Sequence, residues 1–466
     1  MSGLRDRLLR LKNAQVAQEE RQAGMVAHAE SSVIAEGEEG ALMHGEEQAH
    51  AAAVGAVSDA AVDDDTLSSE WDELGVRIVQ STEGAFLVRE SRYPLSHKHG
   101  IHELTELSEA QNHLDAFRKP DSAELGYTNL LFLDLETTGL GVGAGNVPFM
   151  VGLAYLQDDV FIVEQMLIRH PAEERAMIGY LCNLLPSFTH LVTYNGRTFD
   201  WPVLYNRFIL NGFRTFKWEP IHIDLLHPSR SVWRNTLVSC RLSHVEEERL
   251  GITRLDDVPG SLAPAIYFQY LADRKPEPLL GVFQHNEIDM LSLAALAIRF
   301  GHLLGGRIGT GTVPMPEEAE ELLRTGLWLE KMGKSDLAEP LYAAAAEHPR
   351  PTPKGLCLLA ERDKKCGNWQ RAVVLWQKAV DEAAQAAWPD YEAHIELAMY
   401  YEHKTKQLDE ALDLAETAFS IAQRRLPGSR LKGNRRTELD LLRKRIDRLR
   451  LKINKISEAS RRSGHS

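Results

Sequence analysis

Phe132-Leu133-Asp134-Leu135-Glu136-Thr137-Thr138-Gly139 is an apolar run that carries two acids two positions apart and ends in a turn. Alternate residues of a strand face the same side, so Asp134 and Glu136 share one face of a sheet while Leu133 and Leu135 take the other. Farther on, Leu191-Val192-Thr193-Tyr194 reads as another strand, Asn195-Gly196 as a turn, and Asp200 as the start of the helix that follows. A third stretch, His285-Asn286-Glu287-Ile288-Asp289, lies in a long apolar segment, where His285 and Asp289 share a helical face.

Taken singly, these are ordinary features: an acid pair at a strand end is usually a solvated edge, Asn-Gly a plain turn, His-x-x-x-Asp a surface pair. Gathered into one site they demand a cation, because like charges at close range repel and raise one another's pKa. Oxygen ligands of this kind suit Mg²⁺ or Mn²⁺. Four carboxylates can hold two such ions about 3.5–4 Å apart, the arrangement that serves phosphodiester hydrolysis.

These motifs resemble the DEDD 3′–5′ exonuclease superfamily of ribonuclease H-like folds, and most closely the YprB-type ribonuclease H-like domain family. The likeness runs from Thr128 to about Phe300 and includes Ile221-His222-Ile223-Asp224-Leu225-Leu226-His227-Pro228 and Arg254-Leu255-Asp256-Asp257-Val258-Pro259-Gly260. It implies an α/β ribonuclease H-like domain, a mixed sheet flanked by helices. It also implies metal ligation by Asp134, Glu136, Asp200 and Asp289, with Asp134 bridging two ions, Glu136 and Asp289 completing one site and Asp200 supporting the second. Superfamily members place either a Tyr four residues before the last acid or a His five before it, to position the attacking water. Here His285 stands four before Asp289, the tyrosine spacing with an imidazole's chemistry, so the superfamily histidine's role does not transfer by spacing. Phe199 and Trp201 flank Asp200 and are expected in the core, with contact to a sugar or base as the alternative. The implied activity is a 3′–5′ exonuclease on DNA or RNA. The alternative is a catalytically weak module that binds nucleic acid while a repeat domain recruits a protein partner.

The 466 residues are 44% hydrophobic, enough for two or three domains. Four cysteines without Cys-x-x-Cys spacing fit a reduced, cytoplasmic protein, and no apolar run approaches the roughly 20 residues of a membrane span. The net charge of −14 is concentrated: Val26 to Gly75 holds thirteen Asp or Glu and no Lys or Arg, the composition of a disordered, solvating segment. Leu4 to Leu11 could form a short docking helix. Residues 1–75 are therefore read as an acidic region and 76–127 as a small β extension, with a hairpin turned at Glu83-Gly84. The nuclease-type domain is 128–304 and the linker 305–315. His97, His99 and His102 invite a zinc reading, but no Cys lies nearby and a covering loop is expected instead.

From residue 316 the period changes. Gly333 and Gly367 stand 34 residues apart, as do Ala338 and Ala372, with a looser third copy around Ala411. Thirty-four is the tetratricopeptide period, so 316–423 resembles an all-α tetratricopeptide-like helical repeat domain. The tail 424–466 is basic: Arg424 to Lys455 carries thirteen Lys or Arg against three acids, with apolar residues at helical spacing. It reads as a capping helix, a phosphate-backbone contact, or both.

Overall fold

The computed structural model describes residues 69–118, 129–139, 141, 143, 145–311, 313–384, 390–424 and 434–463. Residues 1–68 of the acidic tract, with the short helix expected at Leu4 to Leu11, lie outside the described residues; its end, read as disordered to Gly75, is instead ordered, with Ser69–Asp72 helical and Trp71 and Leu74 buried in the core.

Nine strands are described: β1 (Val76–Ser81), β2 (Gly84–Pro94), β3 (Lys98–His99), β4 (His102–Glu103), β5 (Leu130–Thr137), β6 (Pro148–Gln157), β7 (Val160–Leu167), β8 (His190–Thr193) and β9 (Ile221–Asp224). Seven make one mixed sheet in the order β1-β2-β7-β6-β5-β8-β9. Pairing is antiparallel from β1 through β5 and parallel for β5 with β8 and β8 with β9. Strands β5 to β7 form a meander, β8 and β9 alternate with helices, and the N-terminal hairpin extends the same sheet through β2.

Both faces of the sheet are covered, which is why β5 to β7 are nearly continuous apolar runs. The helices of this half are α1 (Leu107–Leu114), α2 (Glu174–Leu184), α3 (Asp200–Leu210), α4 (Leu226–Trp233), α5 (Ala263–Asp273) and α6 (Leu279–Leu304). Leu131, Leu133 and Leu135 pack with α2, α3 and α5. Leu130 and Phe132 pack against α1, α4 and the second half of α6 on the opposite side. Asp134 and Glu136, in phase with Phe132, thereby face α6. The close approach of α1 and α6 depends on Gly301, where an added Cβ would lie 2.5 Å from the Ala110 carbonyl oxygen. Trp201 enters an aromatic cluster with Trp218, Tyr205 and Phe208.

The C-terminal region is helical: α7 (Ala319–Lys331), α8 (Ser335–Glu347), α9 (Pro353–Lys365), α10 (Trp369–Ala384), α11 (Glu392–Tyr400), α12 (Leu408–Arg424) and α13 (Asn434–Ser463). The chain turns between paired helices at Gly333, Gly367 and Lys406, all at positive φ, and Ala338, Ala372 and Ala411 are fully buried. Hydrogen bonds from the Trp233 indole (2.9 Å) and the Arg249 guanidinium (2.9 Å) to buried Glu321 tie this region to the sheet domain. Leu442, Ile446 and Leu449 of α13 are buried. Buried Glu402 receives Arg448 at 2.8 Å and Lys452 at 2.7 Å. Part of the tail's basic face is thus neutralised internally, as a capping helix requires. Among the described residues no helix is long and apolar enough to cross a membrane.

Gly301→Ala should lower the urea midpoint. The misplaced Cβ meets backbone, so overpacking of about 1–3 kcal/mol outweighs the helix propensity of about 1 kcal/mol that alanine returns. An unchanged midpoint would mean that α1 moves aside freely.

Candidate metal centre

Asp134 lies near the C-terminal end of β5, where the sheet splits from parallel to antiparallel neighbours, and Glu136 follows beside a register shift between Glu136 and Thr137. Such bulges re-aim side chains at sites of function. Asp200 arrives from β8 through a tight turn. Asn195 adopts φ +69°, and Gly196 leaves no room for a Cβ, which would fall 2.5 Å from the Thr193 side chain. Asp224 holds this turn by accepting the backbone N–H of Asn195 (2.8 Å), Arg197 (3.1 Å) and Leu226 (3.1 Å). Asp200, the first residue of α3, then accepts the Leu135 N–H at 3.3 Å, between Asp134 and Glu136. Asp289 and His285 reach the same place from α6.

The structure brings all five sequence-derived residues together, and electrostatics records their crowding. Burial, then the charges of Asp289 and Asp200, push Asp134 well above the carboxylate range. Glu136 is raised by burial and by Asp134 and Asp289. Asp200 is pushed to about 7 by burial, against the Leu135 N–H, with Asp224 and Asp289 adding to the rise. Burial also raises Asp289, opposed by His285 and Arg254. The donor set fits a hard divalent ion: four oxygen ligands, an excess of negative charge that Arg254 and His285 offset only in part, through their contacts with Asp289, and no thiolate.

His285 is fixed from behind. Its Nδ1 meets the Asp257 carboxylate at 2.9 Å, and its Nε2 faces Asp289 Oδ2 at 3.5 Å. Burial disfavours the imidazolium, but Asp257 and Asp289 outweigh it and raise the histidine's pKa. Gly260 lets the loop approach, since a Cβ there would lie 3.0 Å from His285 Nε2. Arg254 joins Glu246, Asp257 and Asp289 in one ion-pair cluster.

Asp134 is held by a polar row that crosses four strands. Gly152 stands opposite Asp134 on β6, Gln165 opposite Gly152 on β7, and Arg89 opposite Gln165 on β2. Into the space over Gly152 drops Asn286 of α6; a Cβ at 152 would lie 2.2 Å from its Oδ1. Asn286 donates to Asp134 Oδ2 (3.0 Å) and accepts from Gln165 Nε2 (2.9 Å). Arg89 donates to Gln165 (2.8 Å) and Glu287 (2.6 Å), which also accepts from Tyr93 (2.5 Å).

Sequence reasoning missed Asn286, Gln165, Gly152, Asp257 and Arg254 as parts of the site. Asn286, Arg254 and Asp257 lie inside the motifs that carry the resemblance, yet nothing in linear spacing pairs Asp257 with a histidine 28 positions on. The histidine run disperses: His99 contacts Ser292 at 2.9 Å, and His97 packs beside Tyr93. His102 and His302 flank Glu106 at 3.2 and 2.8 Å. Among the described residues these three form a group whose ligand atoms all lie within 4.8 Å, able to hold a metal.

A seven-stranded mixed sheet with acids at the end of β5, at the start of α3 and on α6 is the architecture of the ribonuclease H-like class. Residues 131–300 match the family model of the RNase_H superfamily. Over 368 residues the chain is 36% identical to the uncharacterized protein YprB of Bacillus subtilis (strain 168), covering 77% of this chain and 86% of that protein. The chain belongs to the YprB family, and its sheet domain to the RNase_H superfamily.

The raised Asp200 pKa has a consequence for stability. Between its unfolded value near 4 and about 7, only the folded state binds the proton, so stability falls as pH rises through this window. Metal-free protein should therefore melt at progressively higher temperature as pH is lowered from 8 toward 5. Asp200→Asn should flatten this dependence, and Mn²⁺ should reduce it. Parallel melting curves for wild type and variant across the range would refute the assignment.

Proposed function

We propose that this chain is a metal-dependent nuclease of the DEDD type, a 3′–5′ exonuclease hydrolysing phosphodiester bonds of DNA or RNA. The observation that carries the reading is the convergence of Asp134, Glu136, Asp200 and Asp289 from three separate elements into one buried space, each with its pKa raised. Such an arrangement is destabilising unless a cation offsets it. Mg²⁺ or Mn²⁺, two ions held by these four residues, would polarise the scissile phosphate and acidify water. Asp134 keeps its orientation through Asn286, and Glu136 through the bulge. His285, with Nδ1 committed to Asp257, presents Nε2 to the space beside Asp289, where it takes a proton from an attacking water or holds that water in line. The 34-residue period and paired helices support a tetratricopeptide-like role for α7 to α12, recruiting a protein partner.

The direct test incubates the purified protein with end-labelled single- and double-stranded DNA and RNA in Mn²⁺, Mg²⁺ or EDTA. Metal-dependent release of mononucleotides from 3′ ends is expected; no cleavage of any strand with either ion would refute the proposal.

Asp134→Asn and Asp289→Asn should each reduce turnover by orders of magnitude while leaving the fold intact, since removing mutual repulsion relieves the metal-free site. His285→Ala should cost about 10²–10⁴ in rate. Asp257→Asn should reproduce part of that loss and shift the ascending limb of the pH–rate profile, because the imidazole then loses its negatively charged partner. Wild-type rates in either Asn variant of the ligands would remove the two-metal assignment.

A further inference from the structure

Near the C-terminal end of the parallel strands the side chains of three exposed arginines, Arg230, Arg234 and Arg241, have no hydrogen-bond or ion-pair partner among the described residues. Their isolation is unusual in this chain. Acids outnumber bases by 67 to 53, and other arginines of this domain are engaged: Arg249 with Glu321, Arg254 with Glu246, Arg207 with Glu174. Glu320, which meets Asn235 next to Arg234, is taken by Asn235 at 2.6 Å and Arg324 at 2.6 Å. A helix C-terminus favours nearby cations, which accounts for charge at Arg230 but not for Arg241, which lies beyond α4.

The three form one patch. Arg230 and Arg234 are one helical turn apart, about 5–6 Å between Cβ atoms, and the Arg234 N–H still donates to the Arg230 carbonyl. The loop returns so that Cys240 lies against Ser229, Sγ to carbonyl oxygen 4.0 Å, and both Arg230 and Arg234 act on the Cys240 thiol. Arg241 follows directly. Between them Val238 is 98% exposed, although Leu237 beside it is buried, so the loop is anchored while its apolar tip faces outward.

The patch adjoins the metal centre. The Tyr194 hydroxyl donates to the Cys240 carbonyl at 2.5 Å. Phe132 pairs with Val192 across β5 and β8, and two residues farther along each chain stand Asp134 and Tyr194. Asp224, which fixes the turn leading to Asp200, sits on the neighbouring strand. Ligands of open α/β sheets bind outside the carboxyl ends of the strands, and the Tyr194–Cys240 contact ties this patch to that end of β8.

We propose that Arg230, Arg234 and Arg241 bind the phosphate backbone of a single nucleic-acid strand on its way to the metal centre, with Val238 packing against an unpaired base. The inference rests on the nuclease reading and adds the path of its substrate. Cationic side chains without internal partners release counterions from a polyanion at no cost in broken ion pairs, and an apolar tip among them fits an unstacked base better than a closed duplex.

The test compares two triple variants of the full chain: Arg230→Gln/Arg234→Gln/Arg241→Gln, and a control with the same charge change on the C-terminal helices, Lys331→Gln/Lys354→Gln/Lys365→Gln. Binding of a fluorescent single-stranded oligonucleotide, DNA and RNA in turn, is measured in EDTA by anisotropy over a salt series. Unchanged circular dichroism is expected for the arginine variant, whose side chains make no internal hydrogen bonds or ion pairs. It should bind at least about tenfold more weakly at low salt, with the slope of log affinity against log salt reduced by about 2, three phosphates at roughly 0.7 each. The control should keep the wild-type slope. An unchanged slope in the arginine variant, or equal flattening in both, would overturn the proposal while a strand-cleaving wild type left the nuclease reading intact. A wild type that neither binds nor cuts any strand would overturn both.

Discussion

Burying like charges is the constraint around which this domain is organised. Asp134, Glu136, Asp200 and Asp289 meet where burial raises every one of their pKa values and mutual repulsion adds to the rise in Asp134, Glu136 and Asp200. Folding without a bound ion must therefore proceed against a local cost, which the rest of the domain covers with two apolar layers, one on each face of the sheet. The polar residues near the acids do not simply dilute the charge. They constrain its geometry, through the Leu135 N–H on Asp200, Asn286 on Asp134 and Arg254 on Asp289.

Helix α6 is the element on which these constraints converge. Its face toward the sheet carries Asn286, which drops into the gap left by Gly152; the adjacent face carries His285 and Asp289; a third carries Glu287, bound by Arg89 and Tyr93 from β2. One helix thus couples the acidic site on β5 to a strand three positions away in the sheet order. The same helix continues through Gly301 against α1 and reaches the C-terminal helices through Phe300, whose ring lies 5.2 Å from Trp328. A substitution far along α6 can shift the register of the acids, because a helix packed at both ends moves as a rigid body.

The strands and acids were readable for a simple reason. Leu130 to Leu135 combine apolar continuity with acids at period two, a pattern that both names a strand and puts the two acids on one face. Leu279 to Leu304 is long, apolar and preceded by prolines, so the helix and the i, i+4 relation of His285 to Asp289 follow from local periodicity. The 34-residue spacing similarly marked Gly333 and Gly367, which turn the chain at positive φ between paired helices. The hairpin at Glu83-Gly84 was legible from its turn, but not that β2 would pair with β7 and carry Arg89 into the polar row. The basic tail was legible as an amphipathic helix, but not that Glu402 would occupy part of its charge.

Sequence by itself determined the central strands, the long helix α6, the four acids and their order, because strand and helix periods are properties of neighbouring residues. Tertiary structure alone decided that Gly152 stands opposite Asp134 and admits Asn286, that Asp257 anchors His285, that His102 turns to Glu106 and His302 rather than to His97 and His99, and that Arg230, Arg234 and Arg241 are left without partners. Each of these depends on register between strands or on the seating of a loop against α4 and α6. Such pairings are fixed by packing between segments distant in the chain, and linear spacing carries no record of them.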